Sequence, residues 1–171
     1  MNNGNWKKFA RAAGALTLLA LFAGQTVAAP PAARMTREKV LEYYARFNAE
    51  DERYAEFLTD DVVYPYPFLG VTFHGPKEIV DHYKKFWVTG IKERREPDTI
   101  IIDNEAGVMA VELTARIVAR PGTTPKLPTG EVVKPGEEWV GHSVMIYTLR
   151  DGKISSIRGA QSSPVKLVNK Q

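Results

Sequence analysis

Cysteine is missing from all 171 residues. No disulfide, thiol nucleophile or thiolate-held metal can form, so any folded part must rely on its own core. Acidic residues are missing from the start: before residue 30 the only charges are Lys7, Lys8 and Arg11, and the first acidic residue is Glu38. Long hydrophobic runs are missing too. The longest apolar stretch near the start, residues 12–23, is shorter than the roughly 20 residues that span a bilayer. Histidine is scarce, at positions 74, 82 and 142. No two lie at close ligand spacing on one face, and Asp81 and His82 point apart on a helix, so no metal site is expected.

What is present begins with a leader. A basic stretch, a short apolar run and small residues at Thr26, Ala28 and Ala29 have the pattern of a secretory signal peptide, residues 1–28, with a cut expected after Ala28. The product would be exported, periplasmic or secreted, with no stable membrane anchor once the leader is removed. The formal charge of +3 then vanishes, because losing Lys7, Lys8 and Arg11 leaves 20 charges of each sign. That balance, and the lack of aromatics among the basic runs Lys84-Lys85 and Lys92–Arg95 (KERR), argues against nucleic acid as a partner. The KERR run reads as a solvated helix end.

Residues 29–35 form a Pro/Ala-rich linker, 36–165 a single domain and 166–171 a tail. Thr36 is a good N-cap for a helix that runs to Asn48, with Val40, Leu41, Tyr43, Tyr44 and Phe47 at helical spacing. A second short helix is expected from Asp51 to Leu58. A third opens at His74-Gly75-Pro76 and buries Ile79, His82, Tyr83, Phe86 and Trp87. Between them lies an extended segment at Val62-Val63-Tyr64, which Pro65 and Pro67 exclude from the middle of a sheet. Strands are expected at Thr99–Asp103, Gly107–Ala119, Glu138–Leu149 and Lys153–Gln161. Turns fall at residues 104–107 and 151–152, and residues 120–137 make a long hairpin loop. The fold class is α+β.

The order of two helices, LTDDVVYPYP, HGPKEIVDHY, long strands and YTLRDGKISSIRGA resembles the nuclear-transport-factor-two-like superfamily, in particular its SnoaL-like and ketosteroid-isomerase-like branches. The resemblance implies a cone: a curved antiparallel sheet closed by three N-terminal helices around a hydrophobic pocket. It also implies a homodimer joined through the outer face of the sheet, and a small hydrophobic ligand with no cofactor. It departs from known schemes at key positions. Tyr43, five residues before Asn48, matches the isomerase's oxyanion-hole tyrosine. Tyr66 stands where that enzyme keeps its catalytic aspartate, Met145 where it keeps a second one, and Gly159 where epoxide hydrolases of this fold place an aspartate.

The strand 107–119 carries apolar residues at odd positions and Glu112 and Arg116 at even ones, so these sets occupy opposite faces. The rule that charges are exposed puts Glu112 and Arg116 in solvent; the resemblance puts them in the pocket, and the pocket is where they are expected. The expected catalytic residues are Glu112 or His82 as base, with Tyr43 and Tyr66 as hydroxyl donors. Arg116, Tyr83, Phe86, Trp139, Gln161, Tyr64 and Phe68 would contact the substrate. The expected function is a cofactor-free acid/base lyase, isomerase or cyclase acting on a small oxygenated, aromatic or polyketide-like molecule. The alternative is a non-catalytic exported binding or dimerisation module of the same fold.

Overall fold

The computed structural model describes residues 33–127, 130–163 and 165–169, with the side chains of Phe68 and Asn169 outside that description. The expected signal peptide lies wholly outside it. Thr36 caps helix α1 (Arg37–Asn48) as expected, its hydroxyl accepting the backbone N–H of Lys39. The second expected helix is a 3-10 segment, Glu52–Phe57, capped by Asp51. Strand β1 (Leu58–Tyr66), β2 (Val71–His74) and helix α2 (Gly75–Val88) follow, with Pro76 in the first turn of α2. The remaining strands are β3 (Ile91–Asp103), β4 (Val108–Ala119), β5 (Glu137–Arg150), β6 (Lys153–Gln161) and β7 (Lys166–Asn169).

The sheet runs β2-β1-β6-β5-β4-β3, with β7 added beside the far half of β5. It is α+β and curved, but mixed rather than all antiparallel, because β1 pairs parallel to β6. The prolines of β1 do not keep it out of the sheet. Its pairing with β6 spans Leu58 to Val63 and ends before Pro65, whose missing N–H is then not needed on that side. The segment 166–171 is likewise no simple tail, since Lys166–Asn169 pairs with Glu137–Val140. The linker is not free either: Met35 is buried against the domain.

Tight turns hold the long strands in register. Asp151 and Gly152, both at positive φ, close β5 onto β6, the conformation that favours a two-residue hairpin turn. One core collects Tyr43, Tyr44, Phe47, Tyr54, Ile79, Tyr83 and Trp87 from the helical side against Met109, Val111, Leu113, Met145 and Tyr147 from the sheet. A second, smaller cluster joins Ile91 to Leu127 and Val133, so the 120–137 segment is anchored by its own apolar residues.

Candidate functional site: a cavity over the small residues of the sheet

The inner face of the sheet can be read row by row. On β4 the residues Met109, Val111, Leu113, Ala115 and Ile117 point inward, and on β5 Tyr147, Met145, Ser143, Gly141 and Trp139 do. On β6 they are Ile157, Gly159 and Gln161. At one end the large members fill the space: Met109, Val111, Tyr147 and Ile157 are all at most 3% exposed. In the middle sit Ala115 opposite Gly141, Ser143 beside Leu113, and Gly159 opposite Met145. Four small residues on adjoining strands leave an unfilled volume, and the protein has a cavity there of about 170 Å³. Tyr64, Pro65, Tyr66 and Pro67 wall one side, and Leu127 and Val165 add apolar surface.

The opposite wall carries the chemistry. β3 begins directly after Gly90, at positive φ, so Ile91, Glu93 and Arg95 turn inward while Lys92 and Arg94 stay exposed. The KERR run is therefore an edge strand and not a solvated helix end, and alternate members of it are buried. The Glu93 and Arg95 side chains are 10% and 12% exposed, and Nε of Arg95 donates to Oε1 of Glu93 at 2.7 Å. Arg95 pairs in register with Ala115, which faces Gly141 on the next strand, so no bulky neighbour blocks its guanidinium from the cavity.

Arg95 is held from several directions. Its Nη2 donates to the Tyr83 hydroxyl at 2.9 Å, and its guanidinium lies 4.3 Å from the centre of the Phe47 ring. The Tyr83 hydroxyl is in turn 3.5 Å from that of Tyr64. Burial opposes the charge on Arg95, but the Glu93 carboxylate outweighs it and keeps the group protonated. Nη1 of Arg95 and Oε2 of Glu93 have no hydrogen-bond partner among the described residues. Both residues line the cavity, which thus carries a guanidinium and a carboxylate side by side in an apolar surround. Burial pushes the hydroxyls of Tyr64 and Tyr66 up from their ordinary values, so both are proton donors at neutral pH.

Of the residues expected at the site, Tyr64, Tyr66 and Gln161 line the cavity. The facing of β4 is the main correction. Glu112 is exposed on the outer face, and Arg116, with its side chain 40% exposed, pairs there with Glu96 and Glu138. The apolar odd positions face inward because the helices pack on that side and bury them. Tyr43 is embedded in the core among Tyr44, Tyr54, Phe57 and Tyr147, behind the cavity wall. Tyr83 supports Arg95 without reaching the wall. His82 is half-buried behind Tyr66, its ring 5.2 Å from that of Tyr66 and 4.7 Å from that of Phe73. Burial, reinforced by Arg95, lowers its pKa below 6.5. Phe86 and Trp139 pack against the smaller cluster instead of the cavity. Phe68 falls outside the described side chains.

Sequence reading missed Glu93 and Arg95 altogether. The available signal was alternation: I-K-E-R-R following a glycine has the period of a strand with its charges split between two faces.

Comparison with known proteins agrees with this architecture. A family model described as a SnoaL-like domain matches residues 40–157. Among solved structures, a proposed polyketide cyclase of Pseudomonas putida KT2440 is similar over 75% of this chain and 92% of its own, at 19% identity and a TM-score of 0.60. A proposed polyketide cyclase of Xanthomonas campestris pv. campestris matches over 71% and 86%, at 17% identity and 0.59. The epoxide hydrolase/cyclase-like enzyme SalBIII, described in pyran ring formation in the polyether salinomycin, matches over 73% and 88%, at 20% identity and 0.55. No functionally curated protein matches the chain.

Proposed function

Because the chain belongs to the SnoaL-like domain family, we propose that it is a cofactor-free acid/base enzyme of the cyclase, isomerase or lyase type. Its substrate would be a small, largely apolar, oxygenated molecule, aromatic or polyketide-like. The observation that carries this reading is the buried Glu93–Arg95 pair on the wall of an otherwise apolar cavity. Glu93 Oε2 is the proton acceptor. Arg95 Nη1 holds the oxygen on which negative charge collects as an adjacent C–H proton leaves, as a pre-oriented donor in a site poor in water does. Tyr64 and Tyr66 supply hydroxyl groups on the facing wall. The solved structures described as cyclases lend support at the level of fold.

The test needs no knowledge of the natural substrate. An enolisable aromatic ketone such as indanone, incubated with the protein in deuterated buffer, should exchange its α-protons faster than in buffer alone. Glu93→Gln should lower that acceleration by roughly 10²–10⁴-fold, the usual contribution of one general base. Full exchange in Glu93→Gln would show that Glu93 is not the base.

A second reading has its own observation. Glu112 and Arg116 lie on the outer sheet face, away from the cavity, and Glu93 is already neutralised by a guanidinium. A cavity of that kind can bind an oxygenated ring without turning it over, and binding of indanone with no exchange would favour it. Export and self-association remain part of the proposal: the leader's pattern supports the first, and exposed Val108, Val144 and Ile146 on the outer sheet face support the second.

A further inference from the structure

We propose that the cross-strand pair of Met145 and Gly159 is the size filter of the cavity, deciding how large a ring system it admits. This rests on the reading of the cavity as a site for an oxygenated ring, and adds which residues set the upper limit.

Met145 and Gly159 are direct partners in the antiparallel β5–β6 ladder, so their side-chain positions share the inner face. Gly159 sits between inward-facing Ile157 and Gln161, leaving a gap in that row. Its φ is not in the left-handed region, so the backbone does not require glycine there. Packing does. A Cβ built on Gly159 would lie 2.7 Å from Sδ and 3.1 Å from Cε of Met145, both at the end of a flexible side chain. Met145 therefore lies across Gly159, occupying the space that a side chain would take.

Met145 has one way to move if that space is filled. Its neighbour across β4, Val111, is 0% exposed, and Tyr147 beside it is 1% exposed, so both flanks are packed solid. The open side is the cavity, which Met145 and Gly159 both line. A side chain at position 159 pushes the thioether into the ligand volume, whereas a smaller residue at 145 extends that volume over Gly159. At about 170 Å³ the space resembles apolar cavities of about 150 Å³ that take a single benzene ring. A thioether displaced by one methyl-sized group decides between one ring and two.

The experiment measures binding of four probes by calorimetry to the purified protein and two variants. Acetophenone and acetonaphthone share a carbonyl and differ in ring number; ethylbenzene and ethylnaphthalene repeat the ring series without the oxygen. Gly159→Ala should weaken acetonaphthone relative to acetophenone by about tenfold, as one methylene-sized change in an apolar pocket does, and Met145→Ala, which removes three heavy atoms, should shift the ratio the other way by about tenfold or more. Two variants acting from opposite sides guard against misfolding of either. An unchanged ring-number ratio in both variants overturns the filter, even where the carbonyl still improves binding and the wider reading stands. A moving ring-number ratio with no gain from the carbonyl supports the filter and overturns the oxygen-recognition reading. Failure of the unaltered protein to bind any of the four overturns both.

Discussion

The side-chain amide of Asn48 closes both backbone groups of Arg95: its Oδ1 accepts the Arg95 N–H at 2.7 Å, and its Nδ2 donates to the Arg95 carbonyl at 2.8 Å. β3 is the edge of the sheet, so the groups of Arg95 that point away from β4 have no ladder partner. The last residue of α1 supplies one, and so sets the height at which the guanidinium enters the cavity. Asn48→Ala should leave a half-buried N–H and C=O unpaired and cost about 1–3 kcal/mol, read as a lower urea midpoint. Asn48→Asp keeps the acceptor, loses the donor and should fall between. Equal stability of all three proteins would remove Asn48 from this role.

The Glu93–Arg95 pair should be expensive to break and cheap to replace. Removing one partner leaves the other charge in a poorly solvated place, and for Glu93→Ala a loss of about 3–5 kcal/mol is expected. The double variant Glu93→Leu with Arg95→Met should recover much of that loss while failing to bind a carbonyl ligand. Denaturant unfolding gives the first quantity and calorimetry with indanone the second. A double variant less stable than Glu93→Ala would contradict this account.

His82 makes stability depend on pH in one direction. Its folded pKa lies below the ordinary 6.5, because burial and then Arg95 disfavour its charged form; Lys85 adds to this and Glu93 works against it. The unfolded chain therefore binds more protons as the medium is acidified. The contribution of His82 is fully present above 6.5 and is lost as pH falls from there through the lowered folded value. Its ring packs against those of Tyr66, Phe73 and Tyr83. His82→Phe should flatten the slope of unfolding free energy against pH between about 5 and 7. An unaltered slope would place its origin elsewhere.

Local signals carried much of the fold. Thr36 as a cap, Pro76 in a first turn, Asp151-Gly152 as a hairpin and the alternation of β4 are all read from neighbours in the chain. What they do not carry is the choice of face. Alternation divides β4 into two sets but does not say which set meets the helices; that depends on where α1 and α2 pack, a matter of contacts far apart in sequence. The general rule on exposed charges was right for Glu112 and Arg116, and the family analogy was not. Glu93 and Arg95 were hidden for the complementary reason. Their burial needs Asn48, Phe47 and Tyr83 from two helices, and a charged run without those partners looks like surface.

The outer-face charges should therefore be silent in function. Arg116 makes partly exposed ion pairs, a kind that contributes about 0–1 kcal/mol. Glu112→Gln and Arg116→Ala should leave indanone binding and exchange within twofold of the unaltered protein, roughly the size of a small surface perturbation. A tenfold loss in either would return these residues to the mechanism.

The segment just before α1 belongs to the domain, and trimming it should show where the folded unit starts. Asn104, in the β3–β4 turn, accepts the Met35 N–H at 2.9 Å and donates to the Met35 carbonyl at 3.0 Å. The Met35 side chain is 2% exposed within the main core. Ala33 passes so close to the β5–β6 turn that a Cβ on Gly152 would lie 2.8 Å from its carbonyl carbon. Two turns at the same end of the sheet thus hold an irregular strap in place. A cut after Ala28 leaves that strap whole. A protein beginning at residue 33 keeps the strap and is the reference for the series. Removal through Met35 deletes a buried side chain and should cost about 2–5 kcal/mol, the range for truncating a core methionine. Asn104→Ala should cost less, because Met35 stays packed while its peptide loses two hydrogen bonds. Thermal unfolding of this series orders the three cases, and an unchanged midpoint after removal through Met35 would make the strap a passenger.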